Sequence, residues 1–342
     1  MKKIGFFPAH PAQVWMMKAL YDSAPKTVEI KWYIRDKDIS KELIDSFDIP
    51  YTLVSKAKKG IIGNSIELFT NIIKFLILSK KDNIDLWFSK YGSVNIASWL
   101  LRIKNISFND DDADVVPLIA YTSYPFSSKV LCTSWTRMKG FEKKSVHYNS
   151  FHELFYLHPN RFKANLKSAL VNLDMLDYTP YIVIRLSSLE AHHDINAKGI
   201  SNSTLITIIN KLKDRYKIFI SSEKRLSPQF EAYRMDISPI CIHHIIAYST
   251  LVIADSQTMI AEAGVLGVRN LRVSTFKNKI GYLDALESMG LCTSISPSSE
   301  SIIPMIETLL SQSSEELLKK RSNLINSTID PINFFWEKLK ST

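Results

Sequence analysis

Short runs of almost uninterrupted apolar residues recur along this chain, and most are followed by a segment with helical periodicity. Residues 3–7, 84–89 (IDLWFS), 181–185 (YIVIR), 218–221 (IFIS) and 251–254 (LVIA) are of this kind. A strand with one wet face alternates apolar and polar residues, whereas a strand apolar along its length is covered on both faces. Repeated β-α-β units built on such strands predict parallel sheets with helices on either side, the doubly wound α/β plan. Further strands are predicted over 27–33, 51–54, 106–108, 130–133 and 270–273. Helices are predicted over 12–21, 40–47 (with Ser40 as N-cap), 94–101, 203–215, 243–248, 258–266, 281–289, 302–310 and 315–326.

At 342 residues the chain has room for two such domains. Strand signals lapse over 158–177, where a hinge is expected. The reading is a first domain over 1–165, a second over 175–325, and a tail over 326–342. The tail holds Ile332, Phe334, Phe335, Trp336 and Leu339 and is expected to dock back on the first domain. The three cysteines, Cys132, Cys241 and Cys292, lie far apart, which argues against a disulfide scaffold or zinc ribbon and suits a reducing compartment. The N-terminal apolar run stops at Pro8, too short for a secretory signal. A cytoplasmic protein is expected.

Charge is unevenly spread. Residues 1–170 carry 25 Lys and Arg against 16 Asp and Glu, while 171–342 carry 18 of each. The whole excess of +9 therefore lies in the first half, a bias that either serves solubility or faces an anionic partner. None of the signatures of nucleic-acid modules is present, so nucleic acid is not an expected partner. The most apolar long window runs from Ile61 to Leu78 but contains Asn64, Glu67, Asn71 and Lys74. It is read as an amphipathic helix rather than a membrane span, packing its apolar stripe on a core as such stripes usually do. Lys56, Lys58 and Lys59 precede it and Lys80 and Lys81 follow. That composition also fits a helix on an anionic membrane surface, which would place the protein peripherally at the inner face of the membrane.

Ligands of doubly wound sheets bind beyond the carboxyl ends of strands, so polar residues there are the candidates. The first strand is followed by Pro8-Ala9-His10-Pro11 and no GxGxxG, so a dinucleotide site is not supported. His10 is either a general base near neutrality or a helix cap. Asp110, Asp111 and Asp112 follow the 106–108 strand. Three adjacent carboxylates repel one another and need a cation, a helix N-terminus or a donor group nearby. Mg²⁺ is one answer, but hydroxyl binding or acid/base work by one of them is preferred. After YIVIR comes the densest polar cluster, Arg185, Ser187, Glu190, His192, His193 and Asp194. Arg185 suits a phosphate. A metal set from His192, His193 and Asp194 is the lesser reading, since adjacent histidines diverge on a helix. Ser222 and Glu223 follow IFIS. After LVIA, Ser256, Gln257 and Thr258 open a helix whose first amides can hold an anion, or Asp255 or Ser256 merely caps it. Glu262, one turn further in, can accept from a ribose hydroxyl, and His243 and His244 upstream can meet a nucleobase or phosphate.

In this order, the segments GFFPAHPAQV, ISFNDDD, YNSFHELFYLHPNRF, RLSSLEAHHD, IFISSE and ADSQTMIAEAGVLGV resemble the domain family of unknown function 354. That family is similar to nucleotide-sugar enzymes of GT-B architecture, including the UDP-N-acetylglucosamine 2-epimerases. The resemblance spans residues 3–325. It implies two Rossmann-like domains facing across a cleft, a donor diphosphate at Ser256, Gln257 and Thr258, and Glu262 near the ribose. It puts His10 and Asp110–Asp112 on the acceptor side and calls for no metal or cofactor. Related turns are commonly glycine-rich, and here Ser256-Gln257 stands instead. The expected activity is that of a metal-independent glycosyltransferase. It would move a sugar from an activated, nucleotide-linked donor to a glycan or lipid-linked acceptor in surface polysaccharide biosynthesis. A nucleotide-sugar 2-epimerase is the alternative, and a non-catalytic glycan-binding protein the second alternative.

Overall fold

The computed structural model describes residues 1–8, 10–37, 39–58, 60–187, 199–222, 225–275, 279–297 and 300–340. The chain forms two compact units, Met1–Tyr156 with Ile329–Thr342, and Leu157–Thr328.

In the first unit β1 (Lys2–Phe6), β2 (Val28–Asp36), β3 (Tyr51–Lys56), β4 (Leu86–Phe88), β5 (Lys104–Asn109), β6 (Lys129–Thr133) and β7 (Ser145–Tyr148) form one sheet. Its order is β3-β2-β1-β4-β5-β6-β7, and every pairing is parallel. Register sets Phe6 between Trp32 and Phe88, with ring centroids 5.6 Å from each. On the other face Trp87 lies across β1. A Cβ on Gly5 would fall 2.5 Å from the indole, so only glycine lets the ring pass there. The helices are α1 (Pro11–Asp22), α2 (Ser40–Ser46), α3 (Gly60–Lys81), α4 (Gly92–Leu100), α5 (Pro117–Ser123) and the single turn α6 (Leu154–Leu157).

The second unit holds β8 (Tyr181–Leu186), β9 (Lys217–Ser222), β10 (Leu251–Ala254), β11 (Asn270–Val273) and β12 (Ser294–Ile295), ordered β12-β11-β10-β8-β9 and parallel throughout. Its helices are α7 (Leu166–Asn172), α8 (Asn202–Leu212), α9 (Ile242–Tyr248), α10 (Gln257–Leu266), α11 (Gly281–Ser288), α12 (Ile302–Ser311) and α13 (Ser314–Ser327). Ile184, Ile220, Ile253 and Leu271 share one sheet face and pack with Ile208 and Leu212 of α8 and Ile306 of α12. By the alternation of the pleat, Arg185, Ala254 and Arg272 point to the opposite face. Residues 158–177, read as a hinge, carry α7 and belong to this unit. The chain then returns to the first unit as α14 (Pro331–Lys340). There Phe335 stacks edge-on to Phe88 at 4.9 Å, and Trp336 Nε1 donates to Ser23 Oγ at 3.1 Å.

Two local expectations are corrected. Ile39, not Ser40, occupies the N-cap of α2; Ser40 is the first helical residue, buried, with no partner for its hydroxyl among the described residues. The larger correction concerns α3. It is longer than the predicted 61–78 segment, and over 62–81, at mean hydropathy 1.2, it has the length and composition of a membrane span. Only part of its apolar surface faces the core, where Phe75 packs with Ile72, Leu76 and Leu78. Glu67, Asn71, Phe75 and Ser79 are the buried side, while Ile62, Ile66, Phe69, Ile73 and Ile77 face outward. Buried polar partners hold Glu67, Asn71 and Ser79 on the inward side as well. Arg35 grips Glu67 with two bonds of 2.6 and 2.7 Å, Asn71 donates to Ser55 at 3.0 Å, and Trp87 donates to Ser79 at 2.9 Å.

Candidate functional site

At the carboxyl edge of the first sheet, the segments after β1, β4, β5 and β7 carry His10, Lys90, Asp110, Asp111 and His152. Ser89 turns the chain after β4 by donating to Phe7 O at 2.8 Å and accepting from Tyr91 N at 3.0 Å. The next side chain, Lys90, lies 3.2 Å from Asp111 and 3.7 Å from Asp110. Asn109 bonds across to the backbone of Asp111 and so splays the adjacent acids. Asp112 points elsewhere. It is fully buried and accepts from Arg137 N and Nε, both at 2.7 Å, and from Nη2. The expectation that Asp112 is a candidate base is therefore corrected: it is a structural anchor for the loop after β6.

The charges at this edge are set by burial and by one another. Burial pulls the Lys90 ammonium down, but Asp111 and Asp110 outweigh it and hold its pKa above the ordinary lysine value. Burial pushes Asp110 up, but Lys90, His152 and His10 outweigh that and keep it ionised. For His152 burial wins and its pKa falls. Its ring stacks on Phe108 at 5.5 Å, and Nδ1 has no hydrogen-bond partner among the described residues. A neutral imidazole beside a fixed ammonium–carboxylate pair can accept a hydroxyl proton and be stabilised as it charges. His10 is exposed and caps α1, its Nδ1 accepting from Ala12 N at 3.3 Å. Sequence reasoning missed Lys90 and His152. Lys90 directly follows a predicted strand and was legible by the same edge rule; His152 follows β7, which was not predicted.

The second sheet ends differently. Register places Ser221, Arg185, Ala254 and Arg272 in one row across β9, β8, β10 and β11. Arg185 donates to Ser221 Oγ at 2.7 Å. With strands ~4.8 Å apart, the small Ala254 separates two arginines whose backbones are about 10 Å apart. Arg272 is 1% exposed. Its contacts are a long 3.5 Å approach to Ser274 and no ion pair among the described residues, and its Nε has no partner there. Burial lowers its pKa. Asp284 and Glu287 oppose that from a distance, but a buried guanidinium with no direct ion pair among the described residues is costly and attracts an anion. Sequence reasoning missed it as the interior of a strand, although an arginine between Leu271 and Val273 was the available signal.

Beside this row, Ser256 caps α10, accepting from Met259 N at 3.4 Å, and Ser256, Gln257 and Thr258 are only half-buried. Asp255 is buried and its carboxyl is pushed up by burial, against bonds from Ser187 and Ile200 that favour the charged form. It accepts from Ser187 N at 2.7 Å and Ser187 Oγ at 2.8 Å. A Cβ on Gly199 would fall 2.4 Å from Asp255 Oδ2. Both flanks of the 188–198 segment thus meet at Asp255. Glu190, His192, His193, Asp194 and Glu223 lie outside the described residues. Ser222 ends β9, half-buried. Glu262 is buried with one oxygen 3.0 Å from His243 Nε2. The reading of His244 as a nucleotide contact is corrected. Its ring stacks on Phe162 at 5.1 Å and accepts from Asn165 N at 3.3 Å, a joint inside the unit, and burial, with His243, lowers its pKa.

No protein-family model matches the chain, so none supports the resemblance to the domain family of unknown function 354, and no curated protein matches either. Solved structures do match. The chain is similar to a UDP-GlcNAc 2-epimerase from Neisseria meningitidis bound to UDP-GlcNAc, at 12% identity and TM-score 0.76 over 100% of both chains. It is similar to the Methanocaldococcus jannaschii UDP-GlcNAc 2-epimerase in complex with UDP-GlcNAc and UDP, at 13% identity and TM-score 0.64, covering 92% of this chain and 94% of that one. It is also similar to the spinosyn forosaminyltransferase, at 12% identity and TM-score 0.63 over 100% of both chains. Identities this low carry the fold and not the reaction. The chain is a two-sheet α/β protein of the GT-B fold, which nucleotide-sugar epimerases and glycosyltransferases share.

Proposed function

We propose that this protein is a metal-independent glycosyltransferase of surface polysaccharide biosynthesis. It moves a sugar from a nucleotide-linked donor to a glycan or lipid-linked acceptor at the cytoplasmic face of a membrane. One observation carries the reading: each sheet edge, taken by itself, offers one part of the required chemistry. The second edge offers cations and amides for a leaving diphosphate, namely Arg185, Arg272 and the first turn of α10. The first edge offers proton transfer through His152, held beside Asp110 and Lys90. The acceptor oxygen bonds to the anomeric carbon as the bond from that carbon to the phosphate oxygen breaks. The acceptor proton passes to His152, whose imidazolium Asp110 stabilises, and the departing charge is met by fixed donors. The outward apolar face of α3, in the unit with the proton chemistry, supports a lipid-linked acceptor.

A 2-epimerase is the second reading, supported by the whole-chain likeness to the Neisseria enzyme and by several acid/base groups at one edge. The test is purified protein with UDP-GlcNAc in D₂O, with and without membranes carrying lipid-linked glycans. UDP release only with acceptor supports transfer. Conversion to the C2 epimer with deuterium at C2, without acceptor, replaces that reading with epimerisation.

A further inference from the structure

Helix α3 packs Phe75, Ile72, Leu76 and Leu78 on the core and leaves a second apolar stripe facing outward, and that stripe is the basis of the inference. An amphipathic helix in water buries its apolar stripe. Here the sheet side of α3 also receives the carboxylate, the amide and the hydroxyl of Glu67, Asn71 and Ser79, which meet Arg35, Ser55 and Trp87. The outward side carries Ile62, Ile66, Phe69, Ile73 and Ile77, exposed by between 44% (Ile73) and 78% (Ile62). Their spacing of three and four residues keeps them in one stripe along a helix of 22 residues, about 33 Å long. A contiguous apolar surface of this size on a folded unit marks an interaction site.

The charges around the stripe identify the occupant. Lys56 and Lys58 stand exposed before the helix, and Lys80 and Lys81 are exposed in its last turn; Lys59 lies outside the described residues. Lys80 follows Ile62 by 18 residues, about five turns at ~3.6 residues each, and so shares its side. Glu67 is the helix's one acid, and it is buried in the Arg35 pair. A second copy of this chain seated antiparallel on the stripe would set lysines against lysines. An anionic lipid surface has the complementary charge and accepts the apolar side chains. The neighbouring helix α4 continues the pattern at the same edge of the sheet. It ends in exposed Trp99 and Leu100, followed by exposed Arg102 and Lys104, and tryptophan with basic residues is the composition of a membrane–water interface. Crossing the bilayer would tear Glu67 from Arg35 and strand both in hydrocarbon. The helix therefore lies in the plane of the surface.

We infer that α3, with the end of α4, is a docking surface for anionic membranes, inserting its outward stripe below the headgroups while its lysines pair with lipid phosphates. The inference holds whichever reaction the strand edges carry out, and its test uses no sugar donor, so either can fail alone. The full chain is sedimented with phosphatidylcholine vesicles containing about one third phosphatidylglycerol, and with pure phosphatidylcholine vesicles. Binding to the anionic vesicles that weakens as salt rises is expected, with at least tenfold weaker binding to the neutral ones. The Phe69→Gln, Ile73→Gln, Ile77→Gln variant changes exposed side chains only, so its melting temperature and circular dichroism should match the parent while vesicle binding is lost. Lys80→Glu with Lys81→Glu should weaken binding about tenfold or more. Absent binding to anionic vesicles, equal binding to neutral ones, or unchanged binding by the triple variant overturns the inference. So does a concentration-dependent dimer that the triple variant abolishes, which would assign the face to a second copy.

Discussion

The two sheets of this protein end in different chemistry. The edge of the first is crowded with titratable groups that set one another's charge: Lys90 between Asp110 and Asp111, with His152 held neutral by burial against Phe108. The edge of the second has hydroxyls, a capped helix start and two arginines in one register row, and its nearby carboxyl, Asp255, is occupied in holding Ser187. Proton transfer needs groups whose pKa values neighbours can tune, whereas anion binding needs donors whose charge never changes. The difference is what the proposed assignment of base chemistry to one edge and anion binding to the other requires.

Substitutions can break that contrast. The largest expected effect is on turnover: His152→Ala should slow it by about 10²–10⁴-fold, in the range of a lost general base, with donor affinity unchanged. An unchanged rate would take proton transfer away from the first edge. Next comes stability. Arg137→Ala removes the side-chain bonds to the buried Asp112 but keeps the one from its own N–H, and should cost about 1.5 kcal/mol in urea unfolding, while turnover per folded molecule stays close to the parent. A rate loss matching that of His152→Ala would return Asp112 to the chemistry. On the second edge, Arg272→Gln should weaken UDP binding about 10- to 100-fold by calorimetry, the worth of one or two charge-assisted bonds, and leave the pH profile of turnover unmoved. A shifted profile with intact UDP affinity would erase the distinction between the edges.

A subtler effect sharpens the comparison through pH. Burial lowers the pKa of His152 below 6.5, so near that pH the folded chain binds fewer protons than the unfolded one. Its contribution to stability is full above about pH 6.5 and is lost as pH falls through the lower, folded value. Urea midpoints at about pH 7.5 and about pH 5 should therefore differ less in His152→Asn than in the parent. The smallest effect belongs to the α10 cap. Ser256→Ala should cost about 1 kcal/mol or less, since the bond it removes is long at 3.4 Å.

Much of the frame was legible before any coordinates. LVIA, YIVIR and IFIS are strands where they were expected, because a strand covered on both faces must be apolar along its length. The polar turn after LVIA was legible for the same reason, as the place where burial stops. Two strands were not. β12 spans two residues, and β7 is a sheet-edge strand with His147 exposed and only Tyr148 fully buried, so neither carries enough apolar signal. With β7 unseen, His152 had no strand end to belong to. The three acids after β5 were visible as a problem of repulsion but not as its solution, since Lys90 and Arg137 are about 20 and 25 residues away in the chain.

The amino-acid sequence by itself determined two parallel sheets, most of their helices, with α5 and α7 among the exceptions, and the polar positions just past the strand ends, because burial on both faces of a strand is written locally in its side chains. Tertiary structure alone decided which face of α3 turns inward, which of three adjacent acids meets which cation, and that Arg272 is buried with no direct ion pair among the described residues. Those outcomes depend on partners distant in the chain, and the free energy of a charge depends on what surrounds it more than on what precedes it.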